Sequence, residues 1–237
     1  MTSNLTKFIL LGVASSAMAT LVACGGGNSE TVYGLTGVAA KGLAIKQAAV
    51  TVSCLSGSST STTNDTGFYG VAITNGVGPC LVKVTKGTES YYSIAPASAT
   101  GSAIANVNQI SNAIVNALVA SKRPNDAATR KPEDLFTETH KPTNDNLTAA
   151  VAKVLTEINA LLTVKLPEKT DLLGDPAFKA ATSIGASDGS ALDKALDFFA
   201  AKDATSLPAG LITSINSAVA FVVKPNATGS TGGTSPQ

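Results

Sequence analysis

The stretch "TTNDTGFYGVAI", Thr62 to Ile73, sets the character of the first half of this 237-residue chain. Asn64 and Asp65 have short side chains that bond nearby backbone amides, and Gly67 tolerates the positive φ that a sharp reversal needs. The chain turns here, and Phe68 and Tyr69 open the strand that follows. Asn64, Asp65 and Gly67 thus form a turn motif. A calcium loop is the competing reading, because Asn64 and Asp65 both offer oxygens. One carboxylate is too little charge for a strong calcium site.

Outward from this turn, residues 31–107 show short alternating runs separated by Gly, Ser, Asn and Pro. The spacing predicts strands over residues 32–39, 49–55, 60–63, 68–73, 80–85, 90–95 and 103–107. Seven short strands with frequent turn signals predict an antiparallel β-sandwich. "AVTVSCL" places Val50, Val52 and Cys54 on one face, and "CLVKVTK" places Cys80, Val82 and Val84 on one face. Each cysteine is in phase with the apolar side of its strand, as a Cys54–Cys80 bridge inside a sandwich requires. Two buried free thiols are the competing reading. Two isolated cysteines without a nearby histidine cannot complete a zinc shell, so no metal site is expected.

The segments "GVAAKGLAIKQAAVTVSC" and "STTNDTGFYGVAI" together resemble the carboxypeptidase regulatory-like domain, a transthyretin-like β-sandwich. Gly37, Val38, Ala48, Val50, Val52, Gly67 and Tyr69 carry the pattern. Asp65 stands only two residues before the glycine, so the turn is expected to be one residue tighter than the family's. The resemblance implies a fold and no catalytic residue, since such domains are non-catalytic modules attached to many different partners.

Beyond residue 107 the apolar spacing becomes helical. "NVNQISNAIVNALVAS" sets Ile110, Ile114 and Leu118 on one side, with Asn108, Asn112 and Asn116 in a separate row. Residues 121–145 form a polar loop with a helical turn expected near 134–136. "NLTAAVAKVLTEINALL" carries a broad stripe of Leu147, Val151, Val154, Leu155, Ile158, Leu161 and Leu162. In "SALDKALDFFAAK", Ser190 and Asp193 are spaced as a capping box, with Leu192, Ala195, Leu196 and Phe199 facing inward. A last helix is expected over 208–222, then a disordered tail over 224–237. The fold class expected is α+β, a sandwich followed by a small helical domain over 108–223.

The amino-terminal residues read as an export signal over 1–23: Lys7, then the apolar "FILLGVASSAMATLVA". That run is shorter than the roughly 20 residues a spanning helix needs. Leu21-Val22-Ala23-Cys24 resembles the lipobox of bacterial lipoproteins, which implies diacylglycerol and palmitate-type acylation at Cys24. Residues 24–30, "CGGGNSE", suit a flexible tether. An ordinary secretory signal with a chance cysteine is the alternative. Gly25, rather than Asp, implies passage to the outer membrane. The expected address is the bacterial cell envelope, with the membrane as a partner through the lipid.

No reaction can be placed on named residues. Gly185-Ala186-Ser187-Asp188-Gly189 fits the nucleophile-elbow pattern, but no histidine follows Ser187, and His140 precedes it. His140 lies in a polar loop. No phosphate loop, dinucleotide fingerprint or zinc spacing is present, so neither cofactor nor catalytic residue is expected. With a net charge of +1 and no basic run, nucleic-acid binding by phosphate neutralisation is not expected. Tyr91-Tyr92 could offer a sugar-stacking or partner surface; alternation predicts one ring inward and one outward. The leading expectation is a membrane-anchored, non-catalytic binding or structural module for a protein or carbohydrate partner. An envelope hydrolase using His140, and an adhesin or assembly factor using a sheet edge, are the alternatives.

Overall fold

The computed structural model describes residues 31–122, 131–136, 142–183, 186–200 and 207–223. The chain forms strand β1 (Val32–Val38), a small hairpin of β2 (Ala40–Lys41) and β3 (Leu43–Ala44), then β4 (Ala49–Ser56) and β5 (Ser58–Thr62). It continues through β6 (Phe68–Thr74), β7 (Val77–Lys86), β8 (Glu89–Ala95) and β9 (Ser102–Ile104). Helices α1 (Gln109–Lys122), α2 (Asn144–Leu161), α3 (Ala191–Ala200) and α4 (Ala209–Val223) follow, with a 3₁₀ turn at Pro132–Phe136. The protein is therefore α+β, with strands first and helices after.

Two sheets carry the strand half: one in the order β6-β1-β9, the other β5-β4-β7-β8. Tyr33 and Leu35 of β1 and Tyr69 and Ile73 of β6 share one buried cluster with Val50, Val52, Val82 and Val84 of the other sheet. The two sheets thus bury their apolar faces against each other, which the alternation required. Leu81 and Ile94 point the opposite way and join Ile110, Ile114 and Leu118 of α1 in a second cluster. The helices therefore pack on the outer face of the four-stranded sheet. Burial on both faces explains why β7 is buried at every position from Gly78 to Val82, where simple alternation would expose every second residue.

Three expectations are corrected here. The sheets are not wholly antiparallel: β9 runs parallel to β1, pairing Gly34 with Ser102 and Thr36 with Ile104. After β8 the chain leaves one sheet for the other, and it arrives there running alongside β1. Parallel bonding continues past the strand, with Val107 donating to the Val38 carbonyl and Ala40 to the Val107 carbonyl. Second, the β2–β3 hairpin was not expected from the sequence. Third, Cys54 and Cys80 do form a disulfide, but it joins residues directly opposite on neighbouring strands β4 and β7, with Cα atoms 3.9 Å apart. The bridge staples one sheet and does not cross between the two.

The turn around Asn64 is held by its own side chain. Its Oδ1 accepts from the Thr66 amide, the Thr66 hydroxyl and the Phe68 amide. Gly67 has φ of 78°, and a Cβ there would lie 2.3 Å from the Ala39 carbonyl oxygen. Asp65 accepts from Gln47 Nε2 at 3.2 Å. Thr63, buried next to this turn, accepts from the Ala48 amide and donates to the Ile45 carbonyl.

Across β1, Gly37 pairs with Tyr69. The fully buried Tyr69 hydroxyl donates to the Ala105 carbonyl, and burial raises its pKa. A Cβ on Gly37 would stand 1.9 Å from that carbonyl oxygen, so only glycine lets the ring hydroxyl reach across the strand. The Gly37 and Tyr69 of the family-like pattern thus act as a pair.

In the helical half, α2 begins at Asn144 behind the N-cap Thr143, whose side chain accepts from the Asn146 amide. Its stripe is buried at Leu147, Val154, Leu155 and Ile158. Leu161 departs from expectation and is 50% exposed, whereas Leu162 beside it is buried in the helical cluster, so the two adjacent leucines point to different sides. In α3, Leu192, Ala195, Leu196 and Phe199 are all buried as the spacing predicts.

Two measurements check this packing. Tyr69→Phe should lower unfolding stability in urea by about 1–3 kcal/mol, because the buried Ala105 carbonyl loses its donor. Replacing Cys54 and Cys80 together by alanine should cost about 3 kcal/mol on the loop-entropy model, read as a lower urea midpoint.

Candidate functional site

Helix α1 is fastened to the free edge of the four-stranded sheet. Asn108, fully buried, is its N-cap: Oδ1 accepts from the Ile110 and Ser111 amides at 2.9 Å each. Ser111 Oγ accepts from the Asn108 amide in return. Asn108 therefore belongs to a cap and not to an open row of amides. The first turn then covers the unpaired backbone of β8, an outermost strand of its sheet. Ser111 Oγ donates to the Tyr92 carbonyl at 2.9 Å, and Asn112 Oδ1 accepts from the Tyr92 amide at 3.1 Å. Exposed strand edges attract foreign strands, and side-chain hydrogen bonds of this kind close one.

Beside this seam, β8, α1 and α4 enclose a cleft of about 350 Å³. Tyr91 stands on the sheet side; Gln109, Asn112 and Asn116 come from one face of α1, and Asn216 from α4. The spacing 109, 112, 116 is the i, i+3, i+7 row of a helix. Ala113, Leu207 and Ile212 supply apolar wall. Gln109 takes the place in the row that the sequence spacing assigned to Asn108. Only 9% of Gln109 is exposed, and its Oε1 has no hydrogen-bond partner among the described residues. Such a carbonyl costs about 1–3 kcal/mol of uncompensated desolvation.

The two adjacent tyrosines divide as alternation predicts, but neither is simply exposed. Tyr91 packs beside the cluster between the sheets, and Tyr92 beside the helical cluster. Tyr91 Oη donates to Glu89 Oε2, and Lys41 Nζ lies 5.4 Å from the ring centroid. Tyr92 Oη and Lys83 Nζ both donate to Glu133 Oε1, at 3.2 and 3.1 Å. Glu133, read from sequence as a helix-start acid, thus also ties the 3₁₀ turn to the sheet. Burial works against its charge, but its own backbone amide and Lys83 outweigh that and hold its pKa below the usual value. Hydrogen bonds to Glu133 and then Tyr92 raise the pKa of Lys83.

A second polar cluster surrounds the start of α3. Ser190 Oγ accepts from the Asp193 amide, one half of the expected capping box. The other half does not form: the Ser190 amide donates to the Lys179 carbonyl, and Asp193 Oδ2 accepts from the Ala181 amide at 2.9 Å. Asp193 is fully buried, with Asp197 buried one turn further on. Burial, opposed by the Ala181 amide and reinforced by the Asp197 and Asp188 charges, pushes the Asp193 pKa up to about 6. Ser187, the centre of the elbow-like motif, sits in an exposed turn, and among the described residues no strand leads into it. Gly185 of that motif, His140, and Cys24 with its tether all lie outside the described residues. Among the described residues no group of three or more His, Cys, Asp or Glu side chains could hold a metal ion. No described helix is long and apolar enough to cross a membrane.

No protein-family model matches the chain, and no curated protein or solved structure matches it significantly.

The Asp193 environment has a measurable signature. A carboxyl with a raised folded-state pKa binds its proton more tightly when folded, so its contribution to stability is present below the unfolded pKa. That contribution is lost as pH rises from 3.8 to about 6. Asp193→Asn keeps an acceptor for Ala181 without the charge. Its stability relative to wild type should therefore rise across this window and level off above it, read by urea unfolding at a series of pH values.

Proposed function

We propose that the protein is a lipid-anchored bacterial envelope protein whose folded part is a non-catalytic binding module. Acylation at Cys24 fastens the mature chain to a membrane, the outer membrane by virtue of Gly25, and the glycine-rich segment over 24–30 holds the module off the surface. Leu21-Val22-Ala23-Cys24 after an apolar run supports the anchor. The strand half is read as a carboxypeptidase regulatory-like, transthyretin-like sandwich. In support of that reading, two sheets share one core, and Gly37, Gly67 and Tyr69 all have structural duties there.

The observation that carries the binding role is the cleft of Tyr91, Gln109, Asn112, Asn116 and Asn216. Amides can donate and accept hydrogen bonds, but they neither carry protons between reacting groups nor attack carbonyl carbon at neutral pH. Such a lining suits recognition. A disulfide in the module fits an oxidising compartment outside the cytosol.

Metabolic labelling with radioactive palmitate tests the anchor. The wild-type chain should take up label and fractionate with envelopes, while Cys24→Ala should remain unlabelled. Label retained by Cys24→Ala, or a cellular protein that still carries residues 1–23, would overturn the assignment.

A further inference from the structure

The described hydrogen-bonding groups that line the cleft are neutral. Gln109, Asn112, Asn116 and Asn216 are amides, and Tyr91 brings an aromatic ring. Among the described residues no Lys, Arg, Asp or Glu lines it. A charged ligand would give up hydration there without gaining a countercharge, which disfavours phosphates, nucleotides and free carboxylates. A purely aliphatic ligand would strand the amides. The complementary molecule has many groups that both donate and accept, and one apolar face to lie against a ring.

We propose that this cleft binds a neutral saccharide of one or two pyranose rings, a ligand class that rests on the binding function given above. Hydroxyl groups pair with both ends of an amide, and the C–H face of a pyranose is apolar enough to pack on tyrosine. Tyr91 lines the cleft and supplies its one aromatic ring among the described residues. The volume, about 350 Å³, is at the lower end for small-molecule sites. Gln109 is the second, independent pointer. Its side chain is nine-tenths buried at the cleft, and its Oε1 has no donor among the described residues. The terminal torsion of glutamine is soft, so a small rotation presents this oxygen to a ligand hydroxyl.

An extended peptide fits less well. Peptides bind such folds by adding a strand to a free sheet edge. Here the β8 edge is already occupied at Tyr92 by Ser111 and Asn112.

The purified mature chain, titrated in heteronuclear NMR, decides the matter. The probes are maltose, cellobiose, chitobiose and galactose, with acetyl-trialanine-amide as the peptide comparison. At least one saccharide should shift the side-chain amide resonances of Gln109, Asn112, Asn116 and Asn216. The Kd should stay unchanged up to about 0.5 M salt, since no charged side chain is among the described lining residues. The double variant Asn116→Ala/Asn216→Ala, both residues being exposed, should bind about tenfold more weakly with an unaltered Tm. Tyr91→Phe should retain binding and Tyr91→Ser lose it; if Tyr91→Ser unfolds, the double variant alone decides. The proposal is overturned if none of the four saccharides moves these resonances, or if the shifts are indifferent to Asn116 and Asn216. Binding of the peptide at this cleft in place of a sugar overturns the ligand class and leaves the binding module standing. Failure of palmitate labelling removes the address without touching this result.

Discussion

The backbone of Tyr92, held by Ser111 and Asn112, is the joint on which the rest of the molecule turns. Strand β8 is an edge, and an edge left open costs solubility and specificity. Closing it with side chains from the first turn of α1 does two further things. It sets the angle at which Ile110, Ile114 and Leu118 meet Leu81 and Ile94, so that the four-stranded sheet becomes buried on both faces. It also leaves the next face of α1 beside β8, which forms one wall of the cleft. The binding surface is a geometrical consequence of how the edge is closed.

Much of the fold was legible because it follows periodicity. Seven expected strands and four expected helices correspond to observed elements, and the cysteines in phase on residues 54 and 80 do pair. What escaped was set by register and direction. Alternation assigns Cys54 and Cys80 to an inner face, but it cannot say whether the partner lies across the sandwich or on the neighbouring strand. Likewise, the run at 103–107 reads as a strand, yet only the crossover from β8 determines that it lies parallel to β1. The hairpin β2–β3 is too short to show any period. Leu161 and Leu162 both fit a broad α2 stripe, but adjacent positions on a helix diverge, and only Leu162 reaches the core.

The candidate site was legible only in pieces. The tyrosine pair and the asparagine row both stood out in the sequence, but nothing in one dimension places residue 91 beside residues 112 and 216. Asn108 was the misleading member. Its spacing matches Asn112 and Asn116, while its position immediately before the first buried turn made it a cap. A capping asparagine followed three residues later by serine is a signal that could have separated the two roles. Gln109 carried no signal at all, since its importance lies in being buried without a donor.

Amides in this protein commonly serve as substitute peptide groups. Asn144 Oδ1 accepts from the Ala97 amide while Nδ2 donates to the Ala97 carbonyl, both at 2.8 Å. Asn159 does the same with Leu166. Asn106 accepts from Val38 and donates to Asp175, tying β1 to the segment before α3. In each case both ends of the amide are consumed by backbone groups at a strand end or in a connection, which is how a fold with long non-repetitive connections keeps such groups paired. Against that pattern two amides of the cleft differ. Asn112 spends its oxygen on Tyr92, and Gln109 has a carbonyl with no donor. Asn108, just outside the cleft, likewise has an Nδ2 with no partner among the described residues. What sets the cleft apart is the gathering of Gln109, Asn112 and Asn116 on one helical face, with Asn216 and Tyr91 beside them.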